Sequence, residues 1–147
     1  AKVSLHDESA AIPLIIRIPG KKPAVCHSLV ELLDLYPTLS SLCGLEVPSR
    51  LQGKDISPVF DNPKHEVRDA AFSVNGKGFL LREHDWAYIQ YGEDGNKGIE
   101  LFDMKKDPKQ YTNLANDPKH AETVTRFRKK MTAKLKEIRT NDLGLKY

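Results

Sequence analysis

The sequence lacks several features that mark common classes of protein. No apolar run among its 147 residues approaches the length needed to cross a bilayer. Its two cysteines, Cys26 and Cys43, are too few for a disulfide framework, and their apolar neighbours favour small buried thiols. The five histidines have no metal-ligand spacing, and neither a glycine-rich phosphate loop nor a G-x-S-x-G elbow occurs. We therefore expect no zinc site, phosphate loop or serine-hydrolase elbow built by this chain alone.

Charge of one sign is also scarce, since the net charge is only +3. Lysine and arginine are spread along the chain, with one denser stretch, R-F-R-K-K, at residues 126–130. On a helix such a stretch usually forms a solvated face, and this interpretation is favoured over nucleic-acid binding. The acidic pairs at 7–8 and 93–94 lie beside turn residues, where solvated carboxylates are common. They therefore give no support for a pair of catalytic carboxylates.

The first part of the chain has the pattern of an α/β fragment. Residues 12–18, I-P-L-I-I-R-I, form a short apolar run that predicts a strand covered on both faces. Apolar side chains then recur at helical spacing and predict a helix over residues 28–43. Ser28 and Glu31 fit a capping box at its start, and Gly44 is positioned to end it.

The second part has the pattern of an antiparallel sheet with one covering helix. Four short segments rich in aromatic and β-branched residues are separated by turn signals; they are residues 70–74, 78–82, 86–91 and 99–102. Their short connections favour an antiparallel meander. An apolar stripe behind an Asn-Asp-Pro start predicts a helix over residues 118–138. A polar, turn-rich stretch separates the two parts, so we predict domains at 1–62 and 63–147.

Three stretches of the sequence resemble the sulfatase family. Residues 100–115, E-L-F-D-M-K-K-D-P-K-Q-Y-T-N-L-A, are similar to a closing signature in which a Glu-Leu-Tyr-Asp strand precedes Asp-Pro and Thr-Asn-Leu. Residues 28–56 resemble a family helix with the Gly-Leu, Pro and Gln-Gly pattern that follows it, and residues 2–16 resemble the segment after an Asp-His-Gly metal motif. All three occur in the family's order. Within the family, residues 78–103 are most similar to iduronate 2-sulfatase and its bacterial relatives.

The resemblance implies a fold and a reaction that this chain holds only in part. The implied fold is an α/β catalytic domain of the alkaline phosphatase/sulfatase type, followed by a four-stranded antiparallel sheet covered by a C-terminal helix. The family hydrolyses sulfate esters with a formylglycine, made from a C-x-P-S-R or S-x-P-S-R motif, and with calcium held by carboxylates and an Asn. Neither motif occurs in this sequence, and residues 46–50, E-V-P-S-R, match only the tail.

Several expectations follow from that departure. The reaction centre and the calcium ligands should lie outside this chain, which should be inactive by itself. Its implied partner is the remaining N-terminal catalytic segment of a sulfatase, and its implied substrate is a sulfated, uronate-containing carbohydrate. The resemblance also implies a periplasmic, lysosomal or extracellular location.

The resemblance carries three candidate site residues onto this chain. Lys2 matches the lysine that contacts the sulfate group, and an ammonium suits that task because it can donate to several oxygens. His6 stands where relatives often have an aromatic residue, and His84 lies in a turn that corresponds to a loop bordering the substrate cleft. A structural or solvated role for the first ten residues and an exposed hairpin turn at His84 are the competing interpretations. Ala11 replaces a frequent Arg or His, which leaves the sugar specificity open.

Two alternatives remain open at this stage. The chain could be a non-catalytic binding module for sulfated glycans, which its net charge and basic helix would assist. Residues 1–60 should also be either poorly protected or held by contacts between copies, because a solitary parallel strand cannot bury both faces. We expect residues 70–138 to form a stable unit in either case.

Overall fold

The structure, a computed structural model, describes residues 4–140, and these fall into two compact units. One unit contains residues 4–12 and 70–140, and the other contains residues 13–69. The helices are α1 (Asp7–Ala10), α2 (Leu35–Leu42) and α3 (Ala121–Ile138), and the strands are β1 (Ala71–Asn75), β2 (Gly78–Arg82), β3 (Trp86–Tyr91) and β4 (Ile99–Asp103). Within residues 4–140, no helix combines the length and apolar character required to cross a membrane.

The four strands form one antiparallel sheet in the order β1-β2-β3-β4, as the sequence predicts. Gly76 has φ 59° in the Asn-Gly turn between β1 and β2, a conformation that glycine adopts without steric cost. One row of paired residues crosses the sheet on a single face; its members are Phe72, Leu81, Tyr88 and Leu101. Neighbouring side chains of β3 therefore face opposite sides of the sheet, with Tyr88 on this face and Ile89 on the other.

Helix α3 covers that face of the sheet. The Asp117 side chain accepts a hydrogen bond of 3.0 Å from the Lys119 amide, and Pro118 opens the short 3₁₀ turn that leads into the helix. The apolar stripe of α3 is buried against the sheet; it consists of Val124, Phe127, Met131 and Leu135. The rings of Phe127 and Tyr88 stack at 5.3 Å with an interplanar angle of 8°. The predicted helix over 118–138 is therefore confirmed.

The first described residues cover the opposite face of the sheet. Leu5 is 4% exposed and joins a second apolar cluster with residues of β2, β3 and β4, which are Leu80, Ala87, Ile89 and Phe102. The approach is close, because a Cβ atom at Gly78 would lie 2.9 Å from Leu5 Cδ1. The segment before α1 therefore belongs to the core of the sheet unit.

The signature stretch after β4 closes the edge of the sheet. Asn113 Oδ1 accepts hydrogen bonds from the amides of Leu101 (3.0 Å) and Ala115 (2.9 Å), and Asn113 Nδ2 donates to the Ile99 carbonyl at 3.1 Å. The Leu114 amide donates to the Leu101 carbonyl at 2.8 Å. Since an open strand edge invites association with other chains, the Thr-Asn-Leu motif acts here as an edge cover.

The predicted strand over residues 12–18 is wrong for this structure. These residues have no regular secondary structure, and the unit of residues 13–69 contains no strand that could pair with them. Strand hydrogen bonding needs a neighbouring strand, so the apolar run stays unpaired. Its side chains are exposed, and Ile15 retains 92% of its accessible surface.

The predicted helix over residues 28–43 is shorter in the structure. It begins with a 3₁₀ turn at Leu32–Asp34, because Glu31 is extended and its amide donates to Asp34 Oδ2 at 2.7 Å in a capping box. Ser28, the predicted cap, instead accepts a hydrogen bond of 2.8 Å from the Val67 amide. Gly44 follows the helix with φ 67°, as predicted. Cys43, predicted to be buried, is exposed.

The compact units meet in the sequence at residues 69 and 70, seven residues after the predicted boundary at 62. The difference arises because Val67 and Arg68 are bonded to residues of the helical region. The assignment of residues 1–62 to a catalytic domain and 63–147 to a C-terminal subdomain stays a prediction.

Candidate functional site

The structure locates two of the three predicted site residues. Lys2 lies outside the described residues, and its role as a sulfate contact stays a prediction. His6 lies just before α1, on the sheet face opposite α3, and His84 lies in the turn between β2 and β3. Both belong to the sheet unit, so their surroundings can be compared directly.

The ring of His6 is held against β4. His6 Nε2 lies 2.8 Å from Glu100 Oε2, and the ring meets Phe102 edge-on at a centroid distance of 5.3 Å. The Tyr91 hydroxyl donates to the other carboxylate oxygen of Glu100 at 3.2 Å. Burial raises the pKa of Tyr91, and the negative charge of Glu100 raises it further, so this hydroxyl keeps its proton as a donor. The ring orientation of His6 is thus fixed from two sides.

Arg82 connects the segment that carries His6 to the turn that carries His84. Its Nε donates to both carboxylate oxygens of Asp7, at 3.1 and 3.2 Å, and its Nη2 donates to Asp7 Oδ2 at 3.1 Å. Its Nη1 donates to the carbonyls of Glu83 and His84, the latter at 3.1 Å. Guanidinium is suited to this arrangement because its donors are fixed in one plane. His84 itself is exposed in this turn.

A second residue that the sequence did not identify, Gln110, holds the same segment. Gln110 Oε1 accepts a hydrogen bond of 2.7 Å from the Asp7 amide at the start of α1. The residue is 6% exposed and has φ 58°, a left-handed conformation that is uncommon outside glycine. Its Nε2 has no acceptor among residues 4–140, so the side-chain oxygen alone provides the anchor. We name Asp7, Arg82 and Gln110 the anchor cluster.

Only one member of the anchor cluster, Arg82, could have been identified from a pattern in the sequence. Arg82 shares a strand face with Leu80 by period-two alternation, so it could have been assigned to the face that the first residues cover. Nothing in the sequence indicates that Asp7 is its partner, since the two residues are 75 positions apart. Gln110 could not be identified because its backbone conformation is set by the surrounding loop.

The helical unit contains a buried ionic cluster of its own. Asp34 is fully buried and accepts hydrogen bonds from Arg68 Nη2 (2.6 Å) and from the amides of Lys54 (2.8 Å) and Glu31 (2.7 Å). Burial raises the pKa of Asp34, but the hydrogen bonds from Arg68 and the two amides outweigh burial and leave the pKa below its usual value. The cluster ties the loop of residues 45–69 to the start of α2.

Several cations on α3 and just after it form ion pairs with acidic residues of the same chain. Glu83 binds Arg126 (2.7 Å) and Lys130 (2.7 Å), and Glu93 binds Arg139 (2.6 Å). Burial raises the pKa of Glu83, and the two cations more than compensate and lower it overall. These pairs leave fewer positive charges open to a polyanion, which weakens the basis for a glycan-binding module.

The described residues can hold and orient neighbouring segments and side chains, such as the ring of His6. Among residues 4–140, no group of three or more His, Cys, Asp or Glu side chains is arranged to hold a metal ion. The carboxylates of Asp7, Glu100 and Asp34 are all committed to hydrogen bonds. The described residues therefore offer no fitting ligand set for the calcium that the resemblance implies.

Comparison with known proteins places the chain in a family. Residues 1–139 match the family described as N-sulphoglucosamine sulphohydrolase, C-terminal. Delta 4,5-hexuronate-2-O-sulfatase of Bacteroides thetaiotaomicron is 36% identical over 140 residues, which cover 86% of this chain and 28% of that protein. Human arylsulfatase K is 31% identical over 129 residues, which cover 78% of this chain and 24% of that protein.

Solved structures agree with the sequence comparisons. A candidate sulfatase from B. thetaiotaomicron VPI-5482 superposes with a TM-score of 0.79 at 31% identity, covering 92% of this chain and 32% of that one. This chain thus spans about a quarter to a third of the length of the relatives it matches. The predicted fold class is confirmed as the C-terminal portion of the alkaline phosphatase/sulfatase fold. The chain belongs to the sulfatase family and corresponds to the C-terminal region of its members.

Proposed function

We propose that this chain is the C-terminal part of a sulfatase that hydrolyses sulfate esters of uronate-containing glycans. The observation that carries this proposal is the 36% identity, over 86% of the chain, to a protein named as a hexuronate 2-O-sulfatase. The similarity of residues 78–103 to iduronate 2-sulfatases supports the same substrate class. By the same relationship we propose an exported location, in the periplasm, the lysosome or the extracellular space.

We assign the formylglycine and the calcium to the portion of the fold that this chain does not cover. The chain has no C-x-P-S-R or S-x-P-S-R motif, and its described residues have no fitting metal ligands. The remaining N-terminal catalytic segment is accordingly the proposed partner, and the isolated chain is proposed to be inactive.

The chain's own contribution to the reaction is proposed to be positioning. Lys2 is proposed to contact the sulfate group, and it precedes Ser4 by two residues, which is at most about 7 Å of extended chain. The anchor cluster fixes the segment that follows. His6, oriented by Glu100, and His84, exposed in its turn, are the proposed substrate-binding residues.

A chimera tests this proposal. This chain replaces the matching C-terminal 28% of the B. thetaiotaomicron hexuronate 2-O-sulfatase, and hydrolysis of an unsaturated 2-O-sulfated uronate disaccharide is measured. We expect kcat/KM within about tenfold of the parent enzyme, which corresponds to ~1.4 kcal/mol of transition-state stabilisation. The matched control carries alanine at the parent's formylglycine position and should show no turnover.

Two results would contradict the proposal. One is a chimera that unfolds cooperatively at the parent's temperature but lacks turnover on sulfated uronates. The other is turnover of the same disaccharide by the isolated chain, because the reaction centre would then lie within these residues.

A further inference from the structure

We propose that Arg82 is a positioning residue that keeps the two proposed substrate-binding histidines in a fixed relative position. His6 lies in residues 4–11, which we name the His6 segment, and His84 lies in residues 83–85, which we name the His84 turn. The inference rests on the proposed function. It adds the residue through which the two parts of the substrate-binding region would act together.

One side chain, that of Arg82, bonds to both the His6 segment and the His84 turn. Its Nε and Nη2 donate to the Asp7 carboxylate at 3.1–3.2 Å, and its Nη1 donates to the carbonyls of Glu83 and His84. The donors of a guanidinium lie in one plane at fixed angles. The position of the Asp7 carboxylate therefore sets the position of the two turn carbonyls.

The bond to the His84 turn is made to the backbone, so it places the residue without occupying its ring. The carbonyl of His84 accepts from Arg82 at 3.1 Å, and the residue is exposed. Other contacts hold the rest of the turn, since the Glu83 carboxylate pairs with two cations of α3 and Lys105 Nζ donates to Asp85 Oδ2 at 2.7 Å. These contacts join the turn to α3 and to the residues after β4, whereas Arg82 joins it to the His6 segment.

The His6 segment is a firm support for this connection. The Asp7 amide donates to buried Gln110 at 2.7 Å, and His6 Nε2 lies 2.8 Å from Glu100 Oε2. The side chains of Arg82 and Asp7 are only 21% and 26% exposed, so water competes weakly for their hydrogen bonds. A shift of Asp7 would thus be passed to the turn rather than absorbed by solvent.

Lysine could not take the place of Arg82 in this arrangement. It would keep the positive charge, but its donors all lie on one nitrogen at the end of a flexible stem. An ammonium that paired with Asp7 would leave the carbonyls of Glu83 and His84 without the same planar set of donors. The connection therefore depends on the shape of the side chain as well as on its charge.

Hydrogen exchange on the 147-residue chain tests the connection without using activity. The Ser9 amide donates to the His6 carbonyl, and the Glu83 amide donates to the Trp86 carbonyl, both at 2.9 Å. In Arg82→Gln we expect exchange of both amides to be about fivefold faster, because one side chain restrains both places. Amides in the middle of β3 should change little.

A double-substitution cycle in the chimera tests the effect on substrate. Arg82→Gln and His84→Ala should each lower kcat/KM for the sulfated uronate disaccharide by about tenfold, and the double variant should fall no more than about threefold below either single variant. Independent effects would instead multiply to a loss of about a hundredfold. All variants are compared at a temperature at which thermal unfolding shows them folded. A residue that only stabilised the fold would not show this dependence on His84.

Two further variants serve as controls. Arg82→Lys in the chimera should lose as much activity as Arg82→Gln, because the charge is retained and the planar donors are not. Arg128→Gln should change kcat/KM by less than about twofold and combine multiplicatively with His84→Ala. Arg128 is suitable because it is exposed and its hydrogen bond to the Asp94 carbonyl is long, at 3.4 Å.

Any of three results would overturn the inference. These are exchange that quickens at only one of the two amides in Arg82→Gln, a loss in the double variant equal to the product of the single losses, and full activity in Arg82→Lys. An inactive chimera would contradict the proposed function, and the exchange of the two amides would then decide by itself whether Arg82 joins the two parts.

Discussion

Asp34 is the residue on which the helical unit depends most. It lies fully buried in a unit with few buried apolar side chains, and it binds Arg68 and two backbone amides at once. A buried ion pair adds little net stability over an apolar pair, but removing one partner leaves an uncompensated charge. The cluster therefore acts mainly by specifying one arrangement of α2 and the loop that follows it.

We expect Asp34→Asn to destabilise the helical unit by about 3 kcal/mol, because the buried guanidinium of Arg68 would lose its hydrogen-bonded carboxylate and keep only Glu31, whose Oε1 lies 3.5 Å from Arg68 Nε. The measurement is hydrogen exchange of residues 35–42 together with urea unfolding. Asp61→Asn is the matched control, since Asp61 pairs with Lys21 on the surface with 76% of its side chain exposed; it should change stability by less than about 1 kcal/mol. Equal effects of the two substitutions would contradict the assigned role.

The lowered pKa of Asp34 predicts a loss of stability in acid. A carboxyl whose pKa is lower in the folded state stabilises the fold above its unfolded pKa of about 4, and that contribution is lost as pH falls through the folded value. Protection of residues 35–42 should therefore be flat above pH 5 and should decline progressively below pH ~4. In Asp34→Asn this decline should be shallower, and an identical acid profile in the variant would rule out Asp34 as its source.

At the scale of elements, α3 and the sheet form the part of the molecule with an ordinary apolar core. Phe127 is fully buried and stacks on Tyr88. Phe127→Ala should lower the free energy of unfolding by about 3–5 kcal/mol through lost burial and the cavity left behind. Exposed Lys129→Ala on the same helix should stay within about 0.5 kcal/mol. Chemical denaturation followed by far-UV circular dichroism measures both, and a Phe127→Ala effect as small as the control's would show that α3 is not held by this stripe.

The anchor cluster predicts a local effect on α1. Arg82→Gln removes the charge-assisted bonds to Asp7, whose side chain is 26% exposed, so we expect a loss of about 1 kcal/mol and about fivefold faster exchange of the amides of residues 9–11. Arg128→Gln is the control, because Arg128 is exposed and makes one long bond of 3.4 Å. Unchanged exchange in Arg82→Gln would mean that Leu5, Gln110 and the His6–Glu100 contact hold the segment without Arg82.

The elements differ in how far the sequence determined them. The four strands and α3 were predictable because their alternation, turns and apolar stripe all refer to partners within this chain. The strand predicted over residues 12–18 is absent. An apolar run indicates that its side chains favour burial, but it does not show whether this chain contains the strands and helices that would cover them. The same reason explains why the apolar side of α2, which was predicted from the spacing of its residues, is exposed in the structure. The anchor cluster was missed because Asp7, Arg82 and Gln110 are distant in the sequence.

At the scale of the whole molecule, the two units differ in how far they bury their apolar side chains. The sheet unit buries side chains on both faces of its sheet, whereas the helical unit exposes most of its large apolar residues. An exposed apolar patch of this extent is uncommon on a monomeric soluble protein. The chain spans 24–32% of the length of the relatives described above.

The most direct measurement is the nucleotide sequence that lies ahead of the codon for Ala1 in the gene. A C-x-P-S-R or S-x-P-S-R motif there, with an Asp-rich strand before it, is the predicted result, because these residues would supply the nucleophile and the cation ligands. A reading frame that starts at or near Ala1, with no companion polypeptide carrying that motif, would contradict the proposal that this chain serves a sulfatase whose reaction centre lies elsewhere.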